Sequence, residues 1–132
     1  MSARITIVDE NASGKVLREF MMELLSETIS ARQLIEQRVR EEVDRFNSSP
    51  RTAVFQGLVQ PTDAEAELNG YRLRGPKQVD PEAQCEKALR AFEGNGFLLL
   101  VGDRQIESLD EIISTTPETR VSFVKLVPLV GD

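Results

Sequence analysis

One stretch decides the fold: residues 28–46 read TISARQLIEQRVREEVDRF. Ser30 is suited to cap a helix, and Gln33, three residues later, completes the pattern of a capping box. Apolar side chains then recur at the spacing of a single helix face, at Ala31, Leu34, Ile35, Val39, Val43 and Phe46. The stretch therefore predicts an amphipathic helix from Ala31 to about Phe46 that turns Arg32, Glu36, Arg40 and Glu41 to solvent.

The residues before this helix have the pattern of a β-hairpin. Residues 3–8 alternate in polarity and carry β-branched side chains, which favours a strand. Residues 11–14, with the sequence NASG, have the composition of a turn. Residues 16–25 then place apolar side chains on alternate positions, at Val16, Phe20, Met22 and Leu24. Helical spacing also fits part of 16–25, but the turn before it and the helix start after it favour a returning strand.

Strand patterns return near the end of the chain. Residues 97–101 form a short apolar run typical of a buried strand, and residues 104–106 predict a brief edge strand. Residues 108–113 predict a single helical turn capped by serine, and residues 119–127 predict a closing strand. The first and last strands have to pair if both are to be buried. These elements together predict an α+β fold in which a mixed sheet packs on one main helix.

Residues 47–96 interrupt this pattern and are interpreted as an insertion within a single domain of 132 residues. Within the insertion, residues 52–60 predict a strand and residues 63–68 a short helical turn. A second helix is predicted over residues 82–92, with Pro81 at its start and the sequence GNG at its end.

The composition excludes several classes of function. A net charge of −6 and a pI near 4.8 disfavour nucleic-acid binding. We expect a cytoplasmic protein without a membrane partner, because the sequence contains neither a signal-peptide pattern nor an apolar run long enough to span a bilayer. The lack of histidine and the single cysteine, Cys85, argue against a catalytic triad, a zinc site or an intrachain disulfide. We therefore expect no enzymatic activity, metal or cofactor, with paired carboxylates such as Glu82 and Glu86 as the weakest alternative.

The order of the predicted elements resembles the ubiquitin-like β-grasp family. Residues 5–20 look like the opening hairpin of that family, and residues 28–46 look like the entry to its single long helix. Residues 98–112 look like the strand, turn, short strand and helical turn that precede its closing strand. The resemblance rests on spacing rather than on identity, and the family fold does not need residues 47–96. It implies that residues 128–132 form a flexible C-terminal tail.

The resemblance also implies a protein modifier. In such modifiers an ATP-dependent activating enzyme activates the C-terminal carboxylate, which a conjugating enzyme then joins to target proteins through an isopeptide bond. A deconjugating peptidase can release the product. The corresponding residues here are Leu129, Val130, Gly131 and Asp132. Asp132 stands where the family carries glycine, which leaves three alternatives: a peptidase removes Asp132, the activating enzyme accepts this terminus, or the domain only binds.

Two further functions use the same resemblance. One is a permanent interaction domain that is never conjugated, in which Leu99 and Leu126, with Leu129, form an exposed apolar patch for a partner. For Leu99 and Leu126 the competing interpretation is a place in the core or sheet. The other function is a sulfur carrier, which would use the same tail as a modifier.

Overall fold

The computed structural model describes residues 3–48, 54–55, 57–61, 64–67, 70–73 and 79–126. These residues form two compact units. The first unit contains residues 3–34 and 91–126, and the second contains the described residues between 35 and 90. Most of the predicted insertion therefore belongs to the second unit, which begins within the long helix.

In chain order the elements are β1 (Ala3–Asn11), β2 (Val16–Leu24), β3 (Thr28–Ser30), α1 (Ala31–Asn47), β4 (Val54–Phe55), β5 (Ala64–Glu67), β6 (Gly70–Leu73), α2 (Pro81–Glu93), β7 (Phe97–Val101), β8 (Arg104–Ile106), β9 (Ile112–Ser114) and β10 (Arg120–Lys125). The fold is α+β, as the sequence predicts. No helix among the described residues is long and apolar enough to cross a membrane.

A mixed five-stranded sheet forms the first unit, with the strand order β2-β1-β10-β7-β8. β1 and β10 run parallel in its centre, and the other neighbouring strands are antiparallel. The predicted pairing of the first and last strands is thus confirmed. This topology, together with the long helix, is consistent with a β-grasp-like arrangement.

One face of this sheet is apolar because alternate residues of every strand point to the same side. The register places Ile7 beside Val121, and Phe123 beside Leu99. The rings of Phe97 and Phe123 lie 5.7 Å apart between centroids. The buried residues of this face are Ile5, Ile7, Met22, Leu24, Phe97, Leu99, Ile106, Val121 and Phe123. Burial of each large side chain stabilises the fold by about 1.5–3 kcal/mol.

The capping box at the start of α1 is present as predicted. The backbone N–H of Gln33 donates to Ser30 Oγ at 3.1 Å, and the N–H of Ser30 donates to Gln33 Oε1 at 3.1 Å. The next amide, of Ala31, donates to the carbonyl of Glu111 at 2.9 Å. All six residues of the predicted apolar stripe are buried. Local capping and a long-range backbone contact therefore fix the same helix end.

The turn between β1 and β2 is also confirmed. Asn11 Oδ1 accepts hydrogen bonds from the N–H groups of Ser13 and Lys15, both at 3.0 Å. Gly14 has a φ of +88°, a conformation that L side chains rarely adopt. The side chain of Asn11 and the flexibility of Gly14 together close the hairpin.

Of the turn predicted over residues 108–113, the serine cap is confirmed, because the N–H of Asp110 donates to Ser108 Oγ at 3.2 Å, but the prediction is wrong at Ile112 and Ile113. A hydrogen-bonded turn from Ser108 to Glu111 is followed by strand β9, which pairs antiparallel with β3. The pairing places Ile29 opposite Ile113, and both side chains are buried. Two adjacent β-branched isoleucines favour an extended backbone once a partner strand is present.

Within the second unit, the helical turn predicted over residues 63–68 is also wrong. Residues 64–67 form strand β5, which pairs with β6 in a three-stranded sheet of order β4-β6-β5. A segment this short gains more backbone hydrogen bonds from a neighbouring strand than from one isolated helical turn. Of the strand predicted over residues 52–60, the described part is extended only at β4, and residues 57–59 form a bend.

Buried polar side chains hold the connecting segments of the second unit. Glu42 accepts a hydrogen bond from Arg38 Nε and another from the N–H of Leu58, both at 3.0 Å. Arg38 and Glu42 are both buried. Three other side chains bond to backbone groups of this unit: Asn47 to both polar groups of Val79, Gln84 to the carbonyl of Val59, and Lys87 to the carbonyl of Gln60.

Candidate protein-binding edge

Strand β2 is a long edge strand. It has nine residues and, among the described residues, pairs with β1 alone. Natural edge strands are usually short, bulged, interrupted by proline or covered, because an open edge can pair with another chain. β2 has a bulge near its start, where the register shifts between Asp9 and Glu10, but it continues regularly from Arg18 to Leu24. This regular part is an open template for pairing.

The contact of β1 with β10 shows to which side each residue of β1 directs its backbone N–H and carbonyl groups. The N–H of Thr6 donates to the carbonyl of Thr119 at 3.1 Å, so the polar groups of Thr6 face β10. Because successive residues of a strand face opposite sides, the polar groups of Ile5 and Ile7 face β2.

The register between β1 and β2 then shows which residues of β2 direct their backbone groups towards β1. Met22 lies opposite Ile5, and Phe20 lies opposite Ile7, so Phe20 and Met22 bond towards β1. The residues between them, Glu19 and Met21, therefore direct their backbone N–H and carbonyl groups away from the sheet. Among the described residues no strand pairs with this side of β2.

Apolar side chains accompany these outward backbone groups. Leu17 is 50% exposed and Met21 is 52% exposed, and Val16 at the start of the strand is similarly exposed. The other side of the same strand is buried at Met22 and Leu24. β2 thus joins the core with alternate residues and presents a second row of side chains to solvent, in which Leu17 and Met21 alternate with Glu19 and Glu23.

The two glutamates of this exposed row form ion pairs with arginines of other strands. Glu19 accepts from an Arg120 guanidinium nitrogen at 3.1 Å, and Glu23 accepts from Arg4 at 2.8 Å. These four side chains are all exposed, so each pair contributes little to stability. Their arrangement places the negative charges on the edge strand β2 and the positive charges one or two strands further in.

An ion pair between a buried aspartate and a part-exposed arginine fixes the start of β2. Asp9 is buried and accepts from an Arg18 guanidinium nitrogen at 3.3 Å. The Arg18 guanidinium also lies over the Phe20 ring, 5.6 Å from its centroid. A charged residue that points towards the inner face disfavours pairing at that end. The template for pairing therefore starts after Arg18.

Of the residues that the sequence suggested for binding, Leu99 and Leu126 do not share an exposed patch. Leu99 is 0% exposed on the inner face of β7, so the predicted exposed patch is corrected there: its side chain fills the core beside Phe123. Leu126 is 37% exposed, and its N–H donates to the carbonyl of Gly96 at 3.1 Å. The predicted tail residues Leu129, Val130, Gly131 and Asp132 lie outside the described residues.

The exposed row on β2 was not identified as a site from sequence. The alternation that predicts the inner face at Phe20, Met22 and Leu24 also places Leu17 and Met21 on the outer face. Two apolar residues on the solvent side of a strand are the signal. Recognising it requires knowing that β2 lies at an edge, which depends on the pairing of β1 with β10.

Cys85 is poorly placed for chemistry. Its side chain is buried in α2, and Sγ lies 3.8 Å from the carbonyl oxygen of Glu36. Burial raises the pKa of this thiol, while the nearby Arg40 lowers it by less. At neutral pH the sulfur is therefore protonated and shielded. Among the described residues no group of three or more histidine, cysteine, aspartate or glutamate side chains is arranged to hold a metal ion.

No family model, curated protein or solved structure matches this chain.

Proposed function

We propose that this chain is a non-catalytic protein-binding domain that adds an extended segment of another protein to the β2 edge of its sheet. The observation that carries the proposal is the outward direction of the backbone groups of Glu19 and Met21, on a long edge strand with half-exposed apolar side chains. Peptide-recognition domains use such edges in this way: main-chain hydrogen bonds give affinity, and alternate side chains give specificity.

The side chains of β2 specify the chemistry of the partner segment. A strand paired with β2 has a residue directly opposite Glu19 and another opposite Met21, on the same face. Opposite charges and apolar pairs stabilise such positions, and like charges destabilise them. The segment should therefore carry a basic residue opposite Glu19 and an apolar residue, two positions away, opposite Met21.

A second copy of this chain fits the edge less well. Pairing of two β2 strands about Met21 places Glu19 opposite Glu23 of the other copy. Pairing about Glu19 places the two Glu19 carboxylates opposite each other. Both arrangements oppose like charges, and pairing about Phe20 places Glu19 opposite Met21. None of these three registers places an opposite charge against Glu19, which favours a different protein as the partner.

Selection from a displayed library of short random peptides, with the intact chain as the target, tests this proposal. We expect enrichment of extended sequences with alternating apolar residues and a basic residue between them. In an NMR titration, the selected peptide should shift the amide signals of Glu19 and Met21 more than those of β8, at the opposite edge of the sheet.

Two substitutions at one position separate backbone from side-chain recognition. Met21→Pro removes an N–H that points away from β1, so the ladder with β1 keeps its bonds while the partner loses one. Met21→Thr shortens the side chain and keeps the N–H. We expect proline to weaken binding about fivefold more than threonine, since both variants lose the methionine side chain and a lost hydrogen bond is worth about 1 kcal/mol. Equal binding by the wild type and a folded Met21→Pro variant would contradict pairing at this edge.

The modifier function implied by the family resemblance is a separate proposal. Binding at β2 does not use Leu129–Asp132, so a chain ending at residue 128 should bind the selected peptide unchanged. Incubation with ATP and a candidate activating enzyme, followed by mass spectrometry, tests the modifier. A conjugate that depends on Gly131 would favour it, whereas loss of peptide binding on truncation would contradict the edge proposal.

A further inference from the structure

A cavity of about 440 Å³ lies in the first unit, away from strand β2. Its walls come from the end of α2, the hairpin of β7 and β8, the loop after β8 and the start of α1. All of its lining residues belong to the same compact unit. The site therefore needs no contribution from the second unit.

The accessible surface of this cavity is mostly polar, and four apolar side chains contribute the rest of its lining. Phe92, Phe97, Ile106 and Leu109 line it, and all four side chains are buried. The rings of Phe92 and Phe97 lie 5.9 Å apart between centroids and are tilted by 53°. The apolar surface that a ligand can contact is therefore small and suits a narrow aliphatic stem.

The outer lining of the cavity carries an excess of negative charge. Glu93, Glu107 and Asp110 are exposed carboxylates, and Arg32 is the single basic residue among the described lining residues. Across the described part of the chain, none of these four side chains has an ion-pair partner within 4 Å. The three carboxylates are therefore available to a ligand, and the chain's net charge of −6 adds to the attraction of a cation.

The end of α2 strengthens the negative potential at the same place. The N–H of Gly96 donates to the carbonyl of Ala91 at 2.7 Å, and the N–H of Asn95 donates to that of Phe92 at 3.1 Å. With Asn95 at a φ of +61°, this is a Schellman-type helix end. The helix dipole is negative there, so Glu93, the last helical residue, is unfavourably placed. A bound cation would relieve that repulsion.

We propose that this cavity binds a basic side chain, lysine or arginine, of another protein. The aliphatic stem would contact Phe92, Phe97 and Ile106, and the cationic head would lie among Glu93, Glu107 and Asp110. Long basic side chains commonly bury their stems and leave the charge at a polar rim. Arginine should bind more tightly than lysine, because a planar guanidinium bonds carboxylates in pairs. The site is separate from the β2 edge, and its test does not depend on that proposal.

An NMR titration of the intact chain with three short capped peptides tests the proposal: acetyl-Gly-Arg-Gly-amide and its matched leucine and glutamate versions. We expect saturable shifts for the arginine peptide, centred on the amides of Asn95, Gln105 and Asp110. Because one side chain offers few contacting atoms, the dissociation constant should be on the order of 1 mM. Tighter binding of the leucine or glutamate peptide would overturn the proposal.

Charge variants give effects of opposite sign. Glu107→Gln with Asp110→Asn should weaken binding of the arginine peptide by about fivefold or more, the scale of two lost surface ion pairs. Arg32→Gln should strengthen binding about twofold to threefold, because it removes the competing cation. An anion site on Arg32 would give the reverse result and would overturn the proposal.

A control variant separates this site from general electrostatic attraction. Glu118→Gln removes one exposed carboxylate of the same unit that does not line the cavity. Compared with Glu107→Gln, it changes the net charge equally. We expect Glu118→Gln to leave the dissociation constant unchanged within twofold. Equal weakening by both single variants, with the amide spectrum otherwise preserved, would overturn a localised site.

Discussion

The buried pair of Arg38 and Glu42 shows what a single residue contributes to the second unit. Glu42 neutralises a buried guanidinium with one carboxylate oxygen and accepts the N–H of Leu58 with the other. The spacing of four residues is visible in the sequence, but burial is not, because surface helices use the same spacing for solvated pairs. The position of residues 57–61 in the fold, and not the spacing, shows that this pair is buried rather than solvated.

Glu42→Gln should destabilise the protein by about 3 kcal/mol. The amide can still accept from Leu58, but Arg38 loses the carboxylate that accepts from its Nε, and removing one partner of a buried pair costs about 3–5 kcal/mol. Glu41→Gln is the matched control, since Glu41 is exposed and accepts a hydrogen bond from Gln37. Its cost should stay within about 0.5 kcal/mol. Urea denaturation measures both, and equal losses would show that the buried pair has no special role.

Elements whose capping or turn residues are neighbours in the sequence could be predicted from sequence. Elements that form only beside a distant partner strand could not. The capping box of α1 and the Asn11 turn are formed by residues within four positions of each other. β9 and β5 are strands because β3 and β6 lie beside them. A three- or four-residue segment has no periodicity long enough to distinguish a strand from a helical turn. The exposed row of β2 was missed for the same reason.

Ser30→Ala tests the local signal at the start of α1. The N–H of Gln33 loses its acceptor, and loss of a serine cap costs about 1 kcal/mol. We expect faster hydrogen exchange at the Gln33 amide and a lower urea midpoint. Ser48→Ala, directly after the other end of α1, is the control, because the Ser48 side chain makes no hydrogen bond among the described residues. Identical exchange at Gln33 in both variants would mean that the contact of α1 with Glu111 alone fixes this end.

For the whole molecule, the order of the central strands follows from burial. Two strongly apolar strands at opposite ends of the sequence can both be buried only if they lie inside one sheet, and β1 and β10 do so. The division into two compact units was harder to predict. The boundary lies inside α1, and the charged face of α1 after residue 35 resembles an ordinary solvated face although Arg38 and Glu42 are buried.

The first unit is assembled from both parts of the chain, and this has a direct consequence for fragments. A fragment of residues 1–90 keeps β1 and β2 but loses the three other strands of the sheet and the buried side chains of Phe97, Leu99, Val121 and Phe123. An isolated hairpin is marginally stable at best in water. We therefore expect residues 3–34 of this fragment to give unprotected, poorly dispersed amide signals. Addition of a fragment of residues 91–132 should restore the dispersed spectrum. Protected signals for residues 3–34 in the fragment alone would show that β1 and β2 fold without β10, and the pairing of β1 with β10 would then not be what holds the β2 edge in place.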